Sequence, residues 1–162
     1  MTNKTVKLNV FSLLLLFFFS CNSHEIYKQK FNIKSDTWEY NQTINYSWEI
    51  VDTISRYDII LAIDHIPDLH FRNLYIQCKT TFPDQNSKDQ IVSLELYDET
   101  GKPYGDCSNS KCTTEILLQT KIRFPFPGKY DLAIDQFSRD LKIPGIHSLE
   151  LKIMKTNSDK NN

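Results

Sequence analysis

The feature that most constrains the fold of this chain is a repeated alternation of apolar and polar side chains. The first clear example is the segment 44–50, whose apolar residues are Ile44, Tyr46, Trp48 and Ile50. The same period of two recurs in the segments 57–64, 74–79, 92–97, 116–124, 130–135 and 149–153, and more weakly in 26–33. Successive side chains of a strand point to opposite faces, so each segment has one apolar face and one polar face. Strands of a parallel sheet are apolar on both faces, so we predict an all-β, antiparallel β-sandwich of about seven to eight strands.

Proline and glycine separate the predicted strands, at Pro67, Pro83, 101–103, 127–128 and 144–145. Residues 31–155 have the length of one domain with a single core, and we expect them to form the β-sandwich domain. Short helical turns are expected near 37–42 and 136–141. The polar residues 156–162 are expected to be a disordered tail.

The N-terminal segment is predicted to be a targeting signal. Lys4 and Lys7 precede a nearly unbroken apolar stretch at 10–19. That stretch has about half of the roughly 20 residues that a membrane-spanning helix needs. We therefore predict that residues 1–20 are a cleaved signal peptide. The residues that follow identify it as a lipoprotein signal peptide.

The sequence Phe18-Phe19-Ser20-Cys21 resembles a bacterial lipobox. In such a motif a small residue precedes a cysteine. The thiol of that cysteine is acylated with palmitate-type chains, and the polypeptide is cleaved just before the cysteine. Two or three acyl chains hold a protein stably to a membrane. We expect Cys21 to be the lipidation site and residues 21–30 to be a lipidated tether. Surface-displayed lipoproteins carry an acidic cluster just after the acylated cysteine, whereas Glu25 is the one acid in 22–30 of this chain. An anchor in a periplasm-facing leaflet is therefore favoured.

The other cysteines fall into two groups. Cys78 shares a predicted apolar face with Leu74 and Ile76, so we expect a buried free thiol. Cys107 and Cys112 flank a short polar loop, and in an oxidising compartment they either close a small disulfide ring or remain two thiols. A zinc site is not predicted, because a C-x4-C pair without a nearby histidine lacks the usual ligand spacing.

No catalytic or nucleic-acid-binding pattern is present in the sequence. The formal net charge is −1, and nucleic-acid binding needs clustered lysine and arginine. The chain has no G-x-S-x-G motif and no local acid–base pair, so we predict that it is not an enzyme and has no cofactor. The residues Asp64, His65, Asp68 and His70 can be drawn as a weak metal site, but loops collect such residues, and no metal is predicted.

Four aromatic residues are candidates for a contact surface. Trp38 and Tyr40 lie in a polar stretch, and Tyr75 and Tyr97 lie on the polar faces of predicted strands. Aromatic side chains on a wet surface are enriched in protein interfaces and also stack on sugar rings. The alternative is that they pack against the tether or a neighbouring loop, and the sequence leaves both open.

Polar residues at strand and turn junctions extend this candidate surface. Arg72, Asn73 and Arg139 either pin loops, by binding carbonyls or a carboxylate, or mark a contact surface, in which arginine is enriched. The predicted interaction surface therefore comprises Trp38, Tyr40, Arg72, Asn73, Tyr75 and Arg139.

The order of several short stretches resembles a known family. These are FRNLYI at 71–76, GKPYGD at 101–106, FPFPGKY at 124–130, QFSRDL at 136–141 and PGI at 144–146. With the lipobox, their order and spacing over roughly residues 21–155 resemble the gliding motility lipoprotein GldH family of the Bacteroidetes. The family usually has Trp where this chain has Tyr104 and Met where it has Ser138, and the loop between Cys107 and Cys112 looks like a local elaboration.

The resemblance implies a lipid-anchored cell-envelope protein needed for gliding motility, a process tied to the type IX secretion machinery. It implies no catalytic residues. We therefore expect a non-enzymatic assembly or interaction component, whose partners are the membrane and other gliding or secretion envelope proteins. The alternative that we carry forward is a carbohydrate-binding β-sandwich lipoprotein of the envelope that uses Trp38, Tyr40 and neighbouring aromatics.

Overall fold

The computed structural model describes residues 24–156, so the predicted signal peptide, Cys21 and nearly all of the predicted tail lie outside the described residues. The strands are β1 (Glu25–Asn32), β2 (Thr37–Glu39), β3 (Ile44–Ile50), β4 (Tyr57–His65), β5 (Asn73–Thr81), β6 (Ser87–Glu95), β7 (Asp106–Cys107), β8 (Cys112–Ile122), β9 (Gly128–Gln136), β10 (Lys142–Pro144) and β11 (Ile146–Lys155). A 3-10 turn at Lys34–Asp36 is the one helical element of this part of the chain. None of the described residues forms a helix long and apolar enough to span a bilayer.

The strands form two stacked antiparallel sheets. The five-stranded sheet has the order β1-β11-β4-β8-β7, and the four-stranded sheet has the order β3-β9-β5-β6. Strands β2 and β10 form a separate small ladder. Every segment with clear alternation forms a strand, and the predicted antiparallel β-sandwich is confirmed.

The core lies between the inner faces of the two sheets, as the alternation of β3 shows. Its residues at even positions are buried, from Ile44 to Ile50, whereas those at odd positions are exposed. Each such buried apolar side chain contributes about 1.5–3 kcal/mol to stability. The Tyr46 hydroxyl crosses the core and donates a 2.9 Å hydrogen bond to the carbonyl of Leu149, which ties the two sheets together.

The predicted helical turn at 37–42 is wrong, and so is the predicted exposure of Trp38. Strand β2 pairs with β10, with Trp38 opposite Ile143, and this ladder covers one end of the core. The Trp38 side chain is 0% exposed, and its Nε1 donates a 2.8 Å hydrogen bond to the Gln42 carbonyl. The second predicted turn, at 136–141, is an irregular loop between β9 and β10.

The predicted tether ends earlier than residue 30, because β1 begins at Glu25. It pairs with β11 from Glu25 opposite Met154 to Asn32 opposite Ser148. We call the end of the sandwich at which β1 begins the proximal end, and it also contains Tyr57 and Ile122. The opposite end, where β1 finishes, is the distal end.

Candidate interaction groove at the distal end

A groove of about 740 Å³ runs over the outer face of the four-stranded sheet at its distal end. We call it the distal groove. Its lining residues are Tyr40, Phe71, Asn73, Leu74, Tyr75, Ile91, Phe137, Ser138, Arg139 and Asp140. Strand β5 and strand β6 form its floor, and the loops that follow β9 and β2 form its rim.

Large apolar side chains are exposed along this groove. Tyr40 is 50% exposed, Tyr75 46%, Ile91 57% and Phe137 43%. Side chains of this size in a concave surface are the usual anchors of protein interfaces. The distal groove therefore has the composition of a binding surface.

The structure brings four of the predicted surface residues together here: Tyr40, Asn73, Tyr75 and Arg139. Trp38 does not belong to the groove, since it is buried, and the predicted exposure of Tyr97 is wrong for the same reason. Arg72 lies outside the lining, with its Nη2 3.9 Å from Glu99 Oε1, and both of these side chains are exposed. An exposed pair of this kind contributes about 0–1 kcal/mol.

A buried glutamine fixes the loop that carries Arg139. Gln136 is 2% exposed, and its Oε1 accepts hydrogen bonds from the Ser138 backbone N–H at 3.0 Å and from the Ser138 hydroxyl at 2.8 Å. Its Nε2 donates to the Asp140 carbonyl at 3.0 Å, and the Phe137 N–H donates to the Tyr75 carbonyl at 2.8 Å. A loop held in this way loses little further entropy when a partner binds.

The floor of the groove is also oriented by hydrogen bonds. Asn73 Nδ2 donates to the Tyr75 hydroxyl at 3.2 Å and to Ser93 Oγ at 3.1 Å. Arg139, by contrast, has no ion-pair partner among residues 24–156. The structure thus gives Asn73 an orienting role and leaves the Arg139 guanidinium available for a contact.

Sequence reasoning missed Ile91 and Phe137. Ile91 lies out of phase with the apolar residues Val92 and Leu94, which places it on the polar face of the strand. An apolar residue on that face was the sequence signal that could have identified it. Phe137 lay in the segment for which a helical turn was expected, and no local pattern marked it as exposed.

The cysteines of the described residues occupy two separate places. Cys107 and Cys112 form a disulfide that joins β7 to the start of β8. Cys78 is a buried free thiol on the inner face of β5. Burial, together with the charge of Asp135, raises the pKa of Cys78 to about 12, so this thiol is protonated at neutral pH.

Asp64 lies on the outer face of the five-stranded sheet and is buried under other polar side chains. Its carboxylate accepts hydrogen bonds from Lys30 at 2.6 Å, Thr113 at 2.7 Å, Ser148 at 3.0 Å and Lys111 at 3.3 Å. Burial opposes ionisation, but these four donors outweigh it and hold the pKa of Asp64 well below its usual range. The cluster satisfies the charge of Asp64 within the fold.

His65 is the next residue and points to the opposite face of β4. Its Nδ1 lies 2.7 Å from the Ile66 carbonyl oxygen and its Nε2 3.1 Å from Thr114 Oγ1. Burial lowers the pKa of His65. Asp64 and His65 therefore face opposite sides of the sheet and do not converge on one site, and no metal-binding group of three such residues occurs within 24–156.

The fold and the groove together define a small antiparallel β-sandwich that presents an exposed aromatic groove at one end. The sequence profile of the GldH lipoprotein family matches residues 25–153. The chain belongs to this family, and the resemblance found in the sequence is confirmed. Membership implies a lipid anchor and a location in the cell envelope.

A curated relative agrees with this assignment. The chain is 24% identical over 150 residues to a gliding motility lipoprotein GldH homolog of Christiangramia forsetii. The matched region covers 87% of this chain and 86% of that protein. The two proteins therefore match over nearly their whole lengths.

Similarity to solved structures is limited. A family GH115 4-O-methyl-alpha-glucuronidase with specificity for decorated arabinogalactans superposes with a TM-score of 0.43 and 10% identity, over 80% of this chain and 18% of that chain. A structure of infectious bursal disease virus, Gx strain, gives a TM-score of 0.33 and 12% identity, over 85% of this chain and 32% of that chain. Neither similarity bears on function.

Proposed function

We propose that this protein is a non-enzymatic assembly or interaction component of the gliding and type IX secretion apparatus, and that the distal groove contacts another envelope protein of that apparatus. The observation that carries the proposal is the exposed apolar lining of a groove whose loop is already fixed by Gln136. Family membership supports the link to gliding motility.

The proposed anchor is Cys21, acylated after removal of residues 1–20. Residue 24, where the described structure begins, lies at the proximal end beside β11, with the Lys155 N–H donating to the His24 carbonyl at 2.6 Å. An anchor at Cys21 would therefore attach at the end opposite the distal groove and turn the groove away from the membrane. We place the protein on a periplasm-facing leaflet.

The test is complementation of a deletion strain, read out as colony spreading. The double variant Tyr75→Ala/Arg139→Ala should fail to restore spreading, because it removes a central side chain and the unpaired cation of the groove. Tyr104→Ala is the matched control, since Tyr104 is 57% exposed and is absent from the groove lining. Normal spreading with the double variant at wild-type protein level would overturn the role of the groove.

The anchor is tested separately. Metabolic labelling with a palmitate analogue should mark the wild-type chain and not Cys21→Ala, and Cys21→Ala should not restore spreading. Equal labelling of both chains would sink the lipidation proposal without affecting the groove.

The nature of the partner is tested by photo-crosslinking in intact cells. A benzophenone amino acid at position 75 should give an adduct with an envelope protein, and the same group at position 104 should not. Adducts at 75 with polysaccharide instead of protein would favour the carbohydrate-binding alternative. Trp38 cannot contribute to carbohydrate binding, because it is buried, so that alternative would depend on Tyr40 and Tyr75.

A further inference from the structure

The loop that joins β3 to β4 exposes two branched aliphatic side chains at the proximal end of the sandwich. Val51 is 84% exposed and Ile54 is 82% exposed, the highest values among the large apolar side chains of the described residues. The bulge at the start of β1, between Glu25 and Tyr27, leaves Ile26 44% exposed at the same end. Single exposed apolar residues are common on proteins, whereas several at one end mark a contact surface.

Hydrogen bonds to Asp52 fix the conformation of this loop. Its Oδ1 accepts from the backbone N–H groups of Ile54 at 2.9 Å and Ser55 at 3.0 Å, and its Oδ2 accepts from the Ser55 hydroxyl at 2.6 Å. The Asp52 carbonyl accepts a 2.6 Å hydrogen bond from the hydroxyl of Tyr57, a buried residue. Val51 and Ile54 therefore project from a preorganised support, and little entropy is lost when they make a contact.

The same loop lies beside the point at which the chain enters the sandwich. Lys155 connects the two, since its backbone N–H donates to the His24 carbonyl at 2.6 Å and its Nζ donates to Asp52 Oδ2 at 2.7 Å. Cys21 precedes His24 by three residues, and an extended chain spans at most about 3.6 Å per residue, so an anchor at Cys21 is within about 11 Å of His24. A membrane attached there faces the loop.

The charges of the loop do not oppose contact with lipid. Its two charged side chains are Asp52 and Arg56. Asp52 forms an ion pair with Lys155, and the Arg56 guanidinium donates a 3.1 Å hydrogen bond to the Lys121 carbonyl. Because burying an unpaired charge is costly, these partners allow a lipid surface to approach the aliphatic side chains closely.

We propose that Val51, Ile54 and Ile26 dock the proximal end on the lipid surface that carries the anchor. Apolar faces of peripheral membrane proteins lie about 5–10 Å inside the boundary between headgroups and acyl chains. A short tether alone leaves the sandwich free to tilt, whereas this second contact fixes its orientation and directs the distal groove away from the bilayer. The inference rests on the anchor proposed at Cys21 and is independent of the role proposed for the groove.

Fluorescence quenching tests the contact in the mature acylated chain, held in phosphatidylcholine nanodiscs with brominated acyl chains. A nitrobenzoxadiazole label on Ile54→Cys should lose about half of its intensity, since the label then lies inside the headgroup boundary. The same label on Leu141→Cys is the matched control and should keep its intensity, because Leu141 is 74% exposed but lies at the distal end. Labelling is specific, since Cys78 is buried and Cys107 and Cys112 are bridged.

The outcomes separate this contact from the anchor. An acylated chain without quenching at position 54, or with equal quenching at 54 and 141, would overturn the lipid contact alone. A chain that carries no acyl group would overturn the anchor and the lipid contact together. Crosslinking at the distal groove is unaffected by either result.

A double variant separates insertion from proximity to the membrane. With the label on Ile26→Cys, Val51→Ser/Ile54→Ser should reduce the quenching about twofold, because the sandwich loses its apolar contact and tilts. Both side chains are exposed, so the fold should persist. Tyr104→Ser/Leu141→Ser removes two exposed apolar side chains from distal loops and should leave the quenching unchanged. Equal quenching with the two pairs would show that the tether alone sets the position and would overturn the proposal.

Discussion

The two ends of the sandwich use aromatic side chains in opposite ways. At the proximal end, Trp48, Phe124 and Tyr130 pack against one another inside the molecule. At the distal end, Tyr75 and Phe137 face outward along a groove. The proximal aromatics stabilise the fold, whereas the distal aromatics leave apolar area available for a partner.

The two ends also differ in whether their polar groups have hydrogen-bond partners. The distal loops have satisfied networks, since Gln136 holds the groove loop and Trp38 is paired with Gln42. The proximal interior has an unpaired donor, at Trp48. A rigid frame around an exposed apolar surface suits a macromolecular contact.

The largest expected effect separates a packed tyrosine from an exposed one. Tyr130→Ala removes a fully buried ring that stacks on Trp48 and should lower the free energy of unfolding by about 3–5 kcal/mol. Tyr75→Ala removes a half-exposed ring of the groove and should cost less than about 1 kcal/mol. Urea denaturation of both variants measures the difference, and similar losses would break the comparison of the two ends.

The next effect concerns Asp64, the buried acid that pairs with Ser148 near the distal end. Asp64→Asn should lower the free energy of unfolding at pH 7 by about 2–3 kcal/mol, because hydrogen bonds to a charged acceptor weaken and part of the network loses its partner. The pKa of Asp64 is lowered in the folded state, so its stabilisation is present above the unfolded pKa of about 3.8 and is lost as the pH falls below it.

Denaturation curves of wild type and Asp64→Asn, recorded from pH 7 to pH 2, test this sign. The two curves should approach each other in acid, since below about pH 3.8 the carboxyl of the unfolded wild-type chain takes up a proton that the folded chain resists. A difference between the chains that stays constant down to pH 2 would contradict the assignment of the low pKa to Asp64.

The smallest expected effect sharpens the contrast between the two tryptophans. Trp38→Phe leaves the Gln42 carbonyl without its donor and should cost about 1–3 kcal/mol. Trp48→Phe also removes ring volume but eliminates an unpaired N–H, so its cost should be smaller by about 1 kcal/mol. Thermal and urea unfolding of the pair provide the measurement, and a larger cost for Trp48→Phe would show that its N–H is satisfied.

The alternation of the sequence was sufficient to predict the sandwich and its long strands. It did not reveal β2 and β10, because each is three residues long and gains its stability from pairing with a segment about a hundred residues away. The burial of Trp38 follows from that pairing, so the polar residues around it gave a misleading signal. Local patterns predict a strand's faces but not what a distant segment will cover.

The candidate site was predictable only in part. The outward position of Tyr75 followed from the alternation of its strand, whereas Ile91 and Phe137 were missed. Arg139 lies near Tyr75 because β9 pairs with β5 in the four-stranded sheet. No pattern in a single sequence specifies that strand order. The disulfide stayed open for the same reason, since it depends on the pairing of β7 with β8.

The pairing of β1 along β11 also has a mechanical consequence. With the proposed anchor just before Glu25 and a partner held at the distal groove, any pull between membrane and partner acts along the axis of β1. The ladder hydrogen bonds from Glu25 to Asn32 lie across that axis, so they share the load in shear and do not peel one at a time. Such an attachment resists extension far better than one in which the terminal strand unzips, as the proposed role between a membrane anchor and a partner would require.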